Sequence, residues 1–401
     1  MINPLQNIIQ THKAGETAGI YSVCSANQYV LEASMQQANV DNSILLIEST
    51  SNQVDQYGGY TGMTPQMFVD YVKQTAVRMD FPFERIVLGG DHLGPNVWQN
   101  EAAKDAMMKA AGQIGSYVRA GFTKIHLDTS MRCADDPMEQ GAPLDTEIIA
   151  SRAAELCKMA ERAAAELGSG DLPIYVIGTD VPIPGGAQES LKDIMPTPVD
   201  EVEQTIEITK RAFDSLGLQS AWERVVAVVV QPGVEFDDTN IIEYDREKAA
   251  TLSEYIDKRD GLVYEAHSTD YQTRGSLRRM VEDHFAVLKV GPALTFAFRE
   301  AVFALAQIEE ELFAGRNDIR LSRLIETIDE AMLENPDYWQ KHYRGNKHEA
   351  ALARKYSFSD RIRYYWPDSR VTGALNQLVE NLSRNPVPLS LLSYFMPIQY
   401  H

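Results

Sequence analysis

Cysteine is scarce in this chain. Its 401 residues hold three, Cys24, Cys133 and Cys157, an odd number with no metal-ligand spacing. That argues against a disulfide framework and for a reducing compartment. No apolar run approaches the roughly 20 residues of a membrane span. The opening segment MINPLQNIIQTHKAGE has no basic-then-apolar leader pattern. Positive charge is also short: 37 Lys and Arg stand against 57 Asp and Glu, a net charge of −20. Such a surface repels nucleic acid and anionic membrane, so neither is an expected partner, and a cytoplasmic location is expected. A phosphorylated substrate would need a local positive or amide-lined pocket. Nucleotide signatures are missing as well. There is no GxxxxGK(S/T) phosphate loop and no GxGxxG after a strand, and GGDHLGPN has the wrong spacing. No nucleotide cofactor is expected. Neither a GxSxG elbow nor an HExxH pair occurs.

What is present is a rhythm. Eight short apolar runs occupy 19–27, 43–50, 85–92, 124–130, 174–180, 225–233, 262–270 and 285–293. Their β-branched content and punctuation read as strands. VVAVVVQPG is the clearest, since a continuous apolar run suits a parallel strand buried on both faces. Helical patterns fall between the runs, at 64–80, 99–120, 145–167, 199–216, 246–258, 272–283 and 296–313. Thr64 is an N-cap with Pro65 at the first helical position, and Gly168 stops the helix 145–167. This alternation predicts an α/β fold, a (β/α)8 TIM barrel over 1–315. The alternation then stops, and 316–401 reads as a helical, aromatic-rich extension packed on the barrel. Long loops follow the second and fifth runs, STSNQVDQYGGYTGMT and DVPIPGGAQES. In such barrels the chemistry sits at the C-terminal strand ends and the loops that follow them.

Those ends are polar. Asp91 and His92 close the third run, between Gly89-Gly90 and Gly94-Pro95-Asn96. A neutral imidazole suits a divalent metal, and an adjacent carboxylate can move a proton. A helix cap beside a buried histidine is the plainer alternative. Glu265, His267 and Asp270 end the seventh run, with 265 and 267 on one face. Glu265 is either a base, the partner that fixes an imidazole tautomer, or part of a polar layer inside the barrel. In KIHLDTS, Asp128 is a candidate for substrate hydroxyls or for support of a metal. His126 lies deeper and reads as a satisfied core histidine. Glu48, Asp180 and Gln231 end the second, fifth and sixth runs. Buried carboxylates need partners or a metal. Lys289, Gly291 and Thr295, with Ser268, Thr269 and Asp270, stand where barrel substrate and phosphate sites form, after strands seven and eight. Lys289 is equally an internal ion-pair partner. Arg361, Arg363 and Tyr364–Trp366 read either as an anion anchor or as packing.

The long motifs IESTSNQVDQYGGYTGM, VLGGDHLGPN, GFTKIHLDTSM, YVIGTDVPIPGGA, VVQPGVEFD, VYEAHSTDYQTR, LKVGPALTFAFREA and SDRIRYYWP run through nearly the whole chain. They resemble the GatZ/KbaZ family of tagatose-bisphosphate aldolase accessory subunits, some regarded as D-tagatose 6-phosphate 4-epimerases. That family is in turn similar to class II aldolases. The resemblance implies Asp91 as the proton-transfer carboxylate, His92 and His267 as ligands of a divalent metal of Zn, Mn or Mg type, and a phosphate loop at Ser268 and Thr269. Gln231 stands where class II aldolases carry a further histidine, and Asp180 where relatives carry glutamate. Both are weaker candidate ligands. The implied reaction is C4 epimerisation of D-tagatose 6-phosphate and D-fructose 6-phosphate by retro-aldol cleavage and re-addition, with Asp91, Glu265 and Asp128 as catalytic groups. The alternative is a non-catalytic subunit of a class II tagatose-1,6-bisphosphate aldolase in galactitol or N-acetylgalactosamine catabolism. The expected partners are the ketose phosphate, that aldolase subunit, and further copies of this chain in a homo-oligomer.

Overall fold

The structure is a computed structural model that describes residues 3–137, 143–168, 172–178 and 194–400. Among the described residues ten strands are formed: β1 Ile20–Cys24, β2 Leu45–Thr50, β3 Ile86–Leu93, β4 Lys124–Leu127, β5 Ile174–Ile177, β6 Val225–Val230, β7 Glu235–Phe236, β8 Ile241–Ile242, β9 Val263–Ala266 and β10 Phe285–Val290. Eight of them close into a parallel barrel in the order β1-β10-β9-β6-β5-β4-β3-β2. Each of the eight apolar runs supplies one barrel strand, and the fold is a (β/α)8 TIM barrel. The pair β7 and β8 is an antiparallel hairpin that the sequence pattern did not announce.

Local chemistry sets the helices as expected at several ends. The Thr64 side chain accepts the Met67 N–H and Pro65 opens the helix Pro65–Arg78. Gly168 turns left-handed, at φ 62°, to close Thr146–Leu167. An unanticipated helix, Pro4–Lys13, begins on an Asn3 cap. It places Leu5 and Ile9 in one cluster with Ile20, Leu46, Val87 and Val226. These strand residues all lie near strand starts, so the helix seals the N-terminal end of the barrel. The other end is left for the polar groups.

Two strand endings are irregular where those polar groups sit. The pairing of β3 with β4 shifts register between Gly90 and Leu93, and His92 takes a left-handed φ of 48°. β9 stops at Ala266, short of the expected 270. Beyond it Ser268 and Tyr271 have φ of 53° and 63°. Left-handed backbone at non-glycine residues costs about 1–3 kcal/mol each and concentrates at functional sites. Gly89 is needed for space: a Cβ there would meet Glu48 Cγ at 2.7 Å.

The chain divides into two compact units, Met1–Phe236 with Ile241–Gly291, and Asp237–Asn240 with Pro292–His401. The helix Pro292–Leu312 thus groups with the C-terminal residues. In that second unit Val302, Leu324, Met332, Ile362, Val371 and Leu378 share one core. Among the described residues no helix is long and apolar enough to cross a membrane.

Candidate active site

The interior of the barrel holds a closed set of charges. Lys124 on β4 lies 2.5 Å from Glu48 Oε1 of β2 and 2.6 Å from Glu265 Oε2 of β9. The second contact is an ion pair that is not aligned as a hydrogen bond. Lys289 on β10 pairs with Glu48, lies 2.8 Å from Asp91 Oδ1 and 3.8 Å from Glu265 Oε1. All five side chains are buried. Strand alternation brings them inward, and three carboxylates against two ammoniums leave one negative charge in excess. Lys289 therefore takes the internal ion-pair role, and it joins three strands to β3.

Asp91 and Glu265 stay ionised in this setting. Burial alone would raise Asp91, but His92, Lys289 and the hydrogen bond from His126 outweigh it and hold the carboxyl well below its usual range. Burial likewise opposes ionisation of Glu265, and Lys124 and Lys289 reverse it. The same neighbours drive Lys289 well upward against its own burial.

Three imidazoles meet above this network. The His92 ring centroid lies 5.0 Å from that of His267 and 5.3 Å from that of His126. His126 and His267 are also 5.3 Å apart. Each ring is held by its own carboxylate: His92 Nδ1 lies 2.9 Å from Asp128 Oδ2, His126 Nδ1 2.9 Å from Asp91 Oδ1, and His267 Nε2 3.1 Å from Glu265 Oε1. An ionised carboxylate can only accept, so these ring nitrogens donate. The His92 backbone N–H also points at His126 Nδ1, at 3.2 Å. The charge-assisted bond to Asp91 is the stronger of the two claims on that nitrogen. His126 then carries its proton on Nδ1, and its Nε2 is a bare lone pair. That buried atom has no hydrogen-bond partner among the described residues.

A carboxylate behind each imidazole is the arrangement that orients histidine toward a metal, and His126 Nε2 is the ring nitrogen shown without a partner. Ligand atoms of Asp91, His126, Glu265 and His267 all lie within 4.8 Å of one another. Burial pushes the His267 ring down to about 3, so it is neutral and able to ligate. His92 is moved the other way, because Asp91 and Asp128 outweigh its burial. Asp128 also accepts from the Ser130 hydroxyl at 2.7 Å. The donors suit a divalent cation: two imidazoles and two carboxylates lie within that 4.8 Å reach, and His92, which that group does not include, brings a third ring alongside.

Other expected ligands are placed differently. Gln231 has its Oε1 committed to the Gly233 and Val234 N–H groups, at 2.8 and 3.0 Å. It caps its own turn after β6. Asp180 lies outside the described residues. His126, read from the sequence as a core residue, is buried as expected, and it also supplies the third ring of the cluster.

Several expected phosphate donors are already engaged. Gly291 N–H donates to Asp270 Oδ1 at 3.0 Å, and the Thr269 hydroxyl donates to the Lys289 carbonyl at 2.7 Å. Ser268 is hydrogen-bonded to Glu235, a buried carboxyl that burial, with some help from Asp270, pushes up to about 7. Glu235 was not singled out in the sequence, although a glutamate inside the run VVQPGVEFD is a visible oddity. Thr295 belongs to the second unit, where its hydroxyl donates to Asp360 Oδ2 at 2.5 Å.

The family described as D-tagatose-1,6-bisphosphate aldolase subunit GatZ/KbaZ-like matches residues 5–401. Among solved structures, a probable tagatose 6 phosphate kinase from Sinorhizobium meliloti 1021 is similar at 44% identity and a TM-score of 0.85, covering 95% of this chain and 92% of that one. A fructose-bisphosphate aldolase from Campylobacter jejuni matches at 14% identity and a TM-score of 0.47, over 95% of this chain and 92% of its own.

Proposed function

The chain belongs to the D-tagatose-1,6-bisphosphate aldolase subunit GatZ/KbaZ-like family, and from that premise we propose that it is an enzyme, a 4-epimerase that interconverts D-tagatose 6-phosphate and D-fructose 6-phosphate by retro-aldol cleavage and re-addition. The observation that carries this reading is the convergence of His92, His126 and His267, each backed by a carboxylate, beside Asp91. His92, His126 and His267 would hold a divalent cation, which when bound supplies Lewis-acid polarisation of the substrate ketone.

The protein groups divide the remaining work. Asp91 Oδ1 is taken by Lys289 and His126, whereas Oδ2 lies 3.7 Å from His92 Nε2 and 3.9 Å from Cys24 Sγ. Oδ2 is thus the atom left to accept the C4 hydroxyl proton as the C3–C4 bond breaks, and to return it after the aldehyde turns its other face. Lys124 and Lys289 keep Glu265 ionised, and Lys289 keeps Asp91 a carboxylate at the start and end of that cycle. Asp128 and Glu265 hold the His92 and His267 rings in fixed tautomers. A kinase of the phosphate-loop class has no support in the chain's motifs, since no GxxxxGK(S/T) loop occurs.

A second reading has one observation in its favour. His92 and Lys289 together hold Asp91 well below the usual carboxylate range, as a purely structural ion network would. The chain would then be a non-catalytic subunit that supports an aldolase partner. The test is an assay of the purified chain reconstituted with Zn, Mn or Mg, following interconversion of the two ketose 6-phosphates, with Asp91→Asn as control. Interconversion that the variant lacks supports the epimerase. No turnover with any metal, together with a partner aldolase that gains stability on mixing, supports the subunit role.

A further inference from the structure

The second unit contains a buried guanidinium, Arg361, that no carboxylate pairs with among the described residues. Arg361 sits on the short helical turn Arg361–Tyr364 and is buried. Its Nη1 lies 3.5 Å from the Tyr364 hydroxyl and its Nη2 donates to His342 Nδ1 at 3.0 Å. Its Nε, also buried, has no hydrogen-bond partner, and no carboxylate pairs with Arg361 among the described residues. A second guanidinium shares the same ring. Arg363 Nη2 donates to the Tyr364 hydroxyl at 2.9 Å, and the Arg363 and Arg361 guanidinium carbons lie 4.5 and 5.8 Å from the Tyr364 ring centroid. Tyr338 stacks on that ring at 4.9 Å.

The nearby acids make their hydrogen bonds elsewhere, although the Asp238 charge still acts on Arg361 through space. Asp360 pairs with Arg299 at 2.9 Å and accepts from Thr295. Asp238 Oδ1 accepts from the Ser357 and Ser359 hydroxyls at 2.7 and 3.0 Å. His342 offers no positive charge of its own, because burial and the two arginines push it down to about 4. A buried guanidinium with donors to spare is costly unless an anion completes it. The Arg361 fork, the Arg363 guanidinium (whose Nη1 donates to the Ser359 and Asp360 carbonyls), a phenol and an imidazole together match a tetrahedral oxyanion.

We propose that Arg361, Arg363, Tyr364 and His342 form a phosphate-binding site in the second unit. Arg361 is its floor, while the half-buried Arg363, Tyr364 and His342 are its accessible rim. The site stands whether or not the barrel turns over substrate. Its occupant is either the phosphate of a ketose 6-phosphate or free inorganic phosphate. The experiment is calorimetric titration of the full chain with inorganic phosphate and, separately, with D-fructose 6-phosphate, repeated on Arg361→Gln and Arg363→Gln. Loss of charge-assisted hydrogen bonds is expected to weaken phosphate binding by about tenfold or more in each variant. Displacement of inorganic phosphate by the sugar phosphate identifies the substrate as the source, and failure to displace it identifies free phosphate. Arg363→Gln, on the more open rim, keeps the test valid if Arg361→Gln does not fold. No binding by the intact chain, or undiminished binding in the folded variants, overturns the proposal.

Discussion

His126 Nδ1 lies 2.9 Å from Asp91 Oδ1, tying the fourth barrel strand to the third at the point where their register shifts. One contact fixes two things. It sets the tautomer of an imidazole with a bare Nε2, and it leaves Asp91 with one oxygen for chemistry. Removing the carboxylate charge should therefore affect both. Asp91→Asn is expected to lower epimerisation about 10²–10⁴-fold, the usual span for a lost acid–base group. Steady-state assays on the metal-loaded variant check this.

Metal affinity separates the ligands from their neighbours. His126→Asn is expected to reduce divalent-cation affinity severely. Asp91→Asn, which removes the partner behind that ring, should reduce it about 10–100-fold. Gln231→Ala should leave it unchanged, because the Gln231 oxygen is bound to Gly233 and Val234. Competition against a chromogenic chelator reads all three.

The buried ion network is a stability element with a defined weak point. Lys124 is fully buried between Glu48 and Glu265. Lys124→Met would leave both carboxylates short of a counter-charge. The expected loss is about 3–5 kcal/mol, measured by denaturant unfolding near neutral pH.

Glu235 gives a pH signature of known sign. Burial raises its carboxyl from 4.5 to about 7, so the folded chain binds an extra proton between those values. Its contribution is fully present below pH 4.5 and is lost as pH rises through 7. His267 acts oppositely: its folded value of about 3 lies below 6.5, so stability is lost as pH falls from 6.5 toward 3. Glu235→Gln isolates the first effect. The difference between wild type and variant is expected to grow by about 3 kcal/mol from pH 4.5 to pH 8, with the variant more stable at the alkaline end. Urea unfolding across that range measures it.

The eight barrel strands were legible because a parallel strand buried on both faces leaves a continuous apolar run, as in Val225–Val230. The polar strand ends were legible for the same reason: Asp91, His92 and Glu265 interrupt such runs. His126 was not legible as part of the cluster. Alternation places it inside, but only the register shift against β3 puts it beside Asp91. Gln231 misled in the other direction, because the turn that consumes its oxygen is local backbone chemistry after β6 rather than a matter of strand position. The hairpin of β7 and β8 is only two residues a side, too short to leave a period. The grouping of Pro292–Leu312 with the C-terminal unit is a packing outcome that helical periodicity does not encode.

The mechanism is tested most directly by running the reaction in D2O. Metal-loaded protein and D-tagatose 6-phosphate would be followed by proton and carbon NMR. Cleavage and re-addition at C3–C4 keeps the original hydrogen on C4, so D-fructose 6-phosphate should form with no deuterium there. Deuterium at C4, or no conversion by folded protein with any divalent cation, would contradict a retro-aldol centre built on Asp91 and the three histidines.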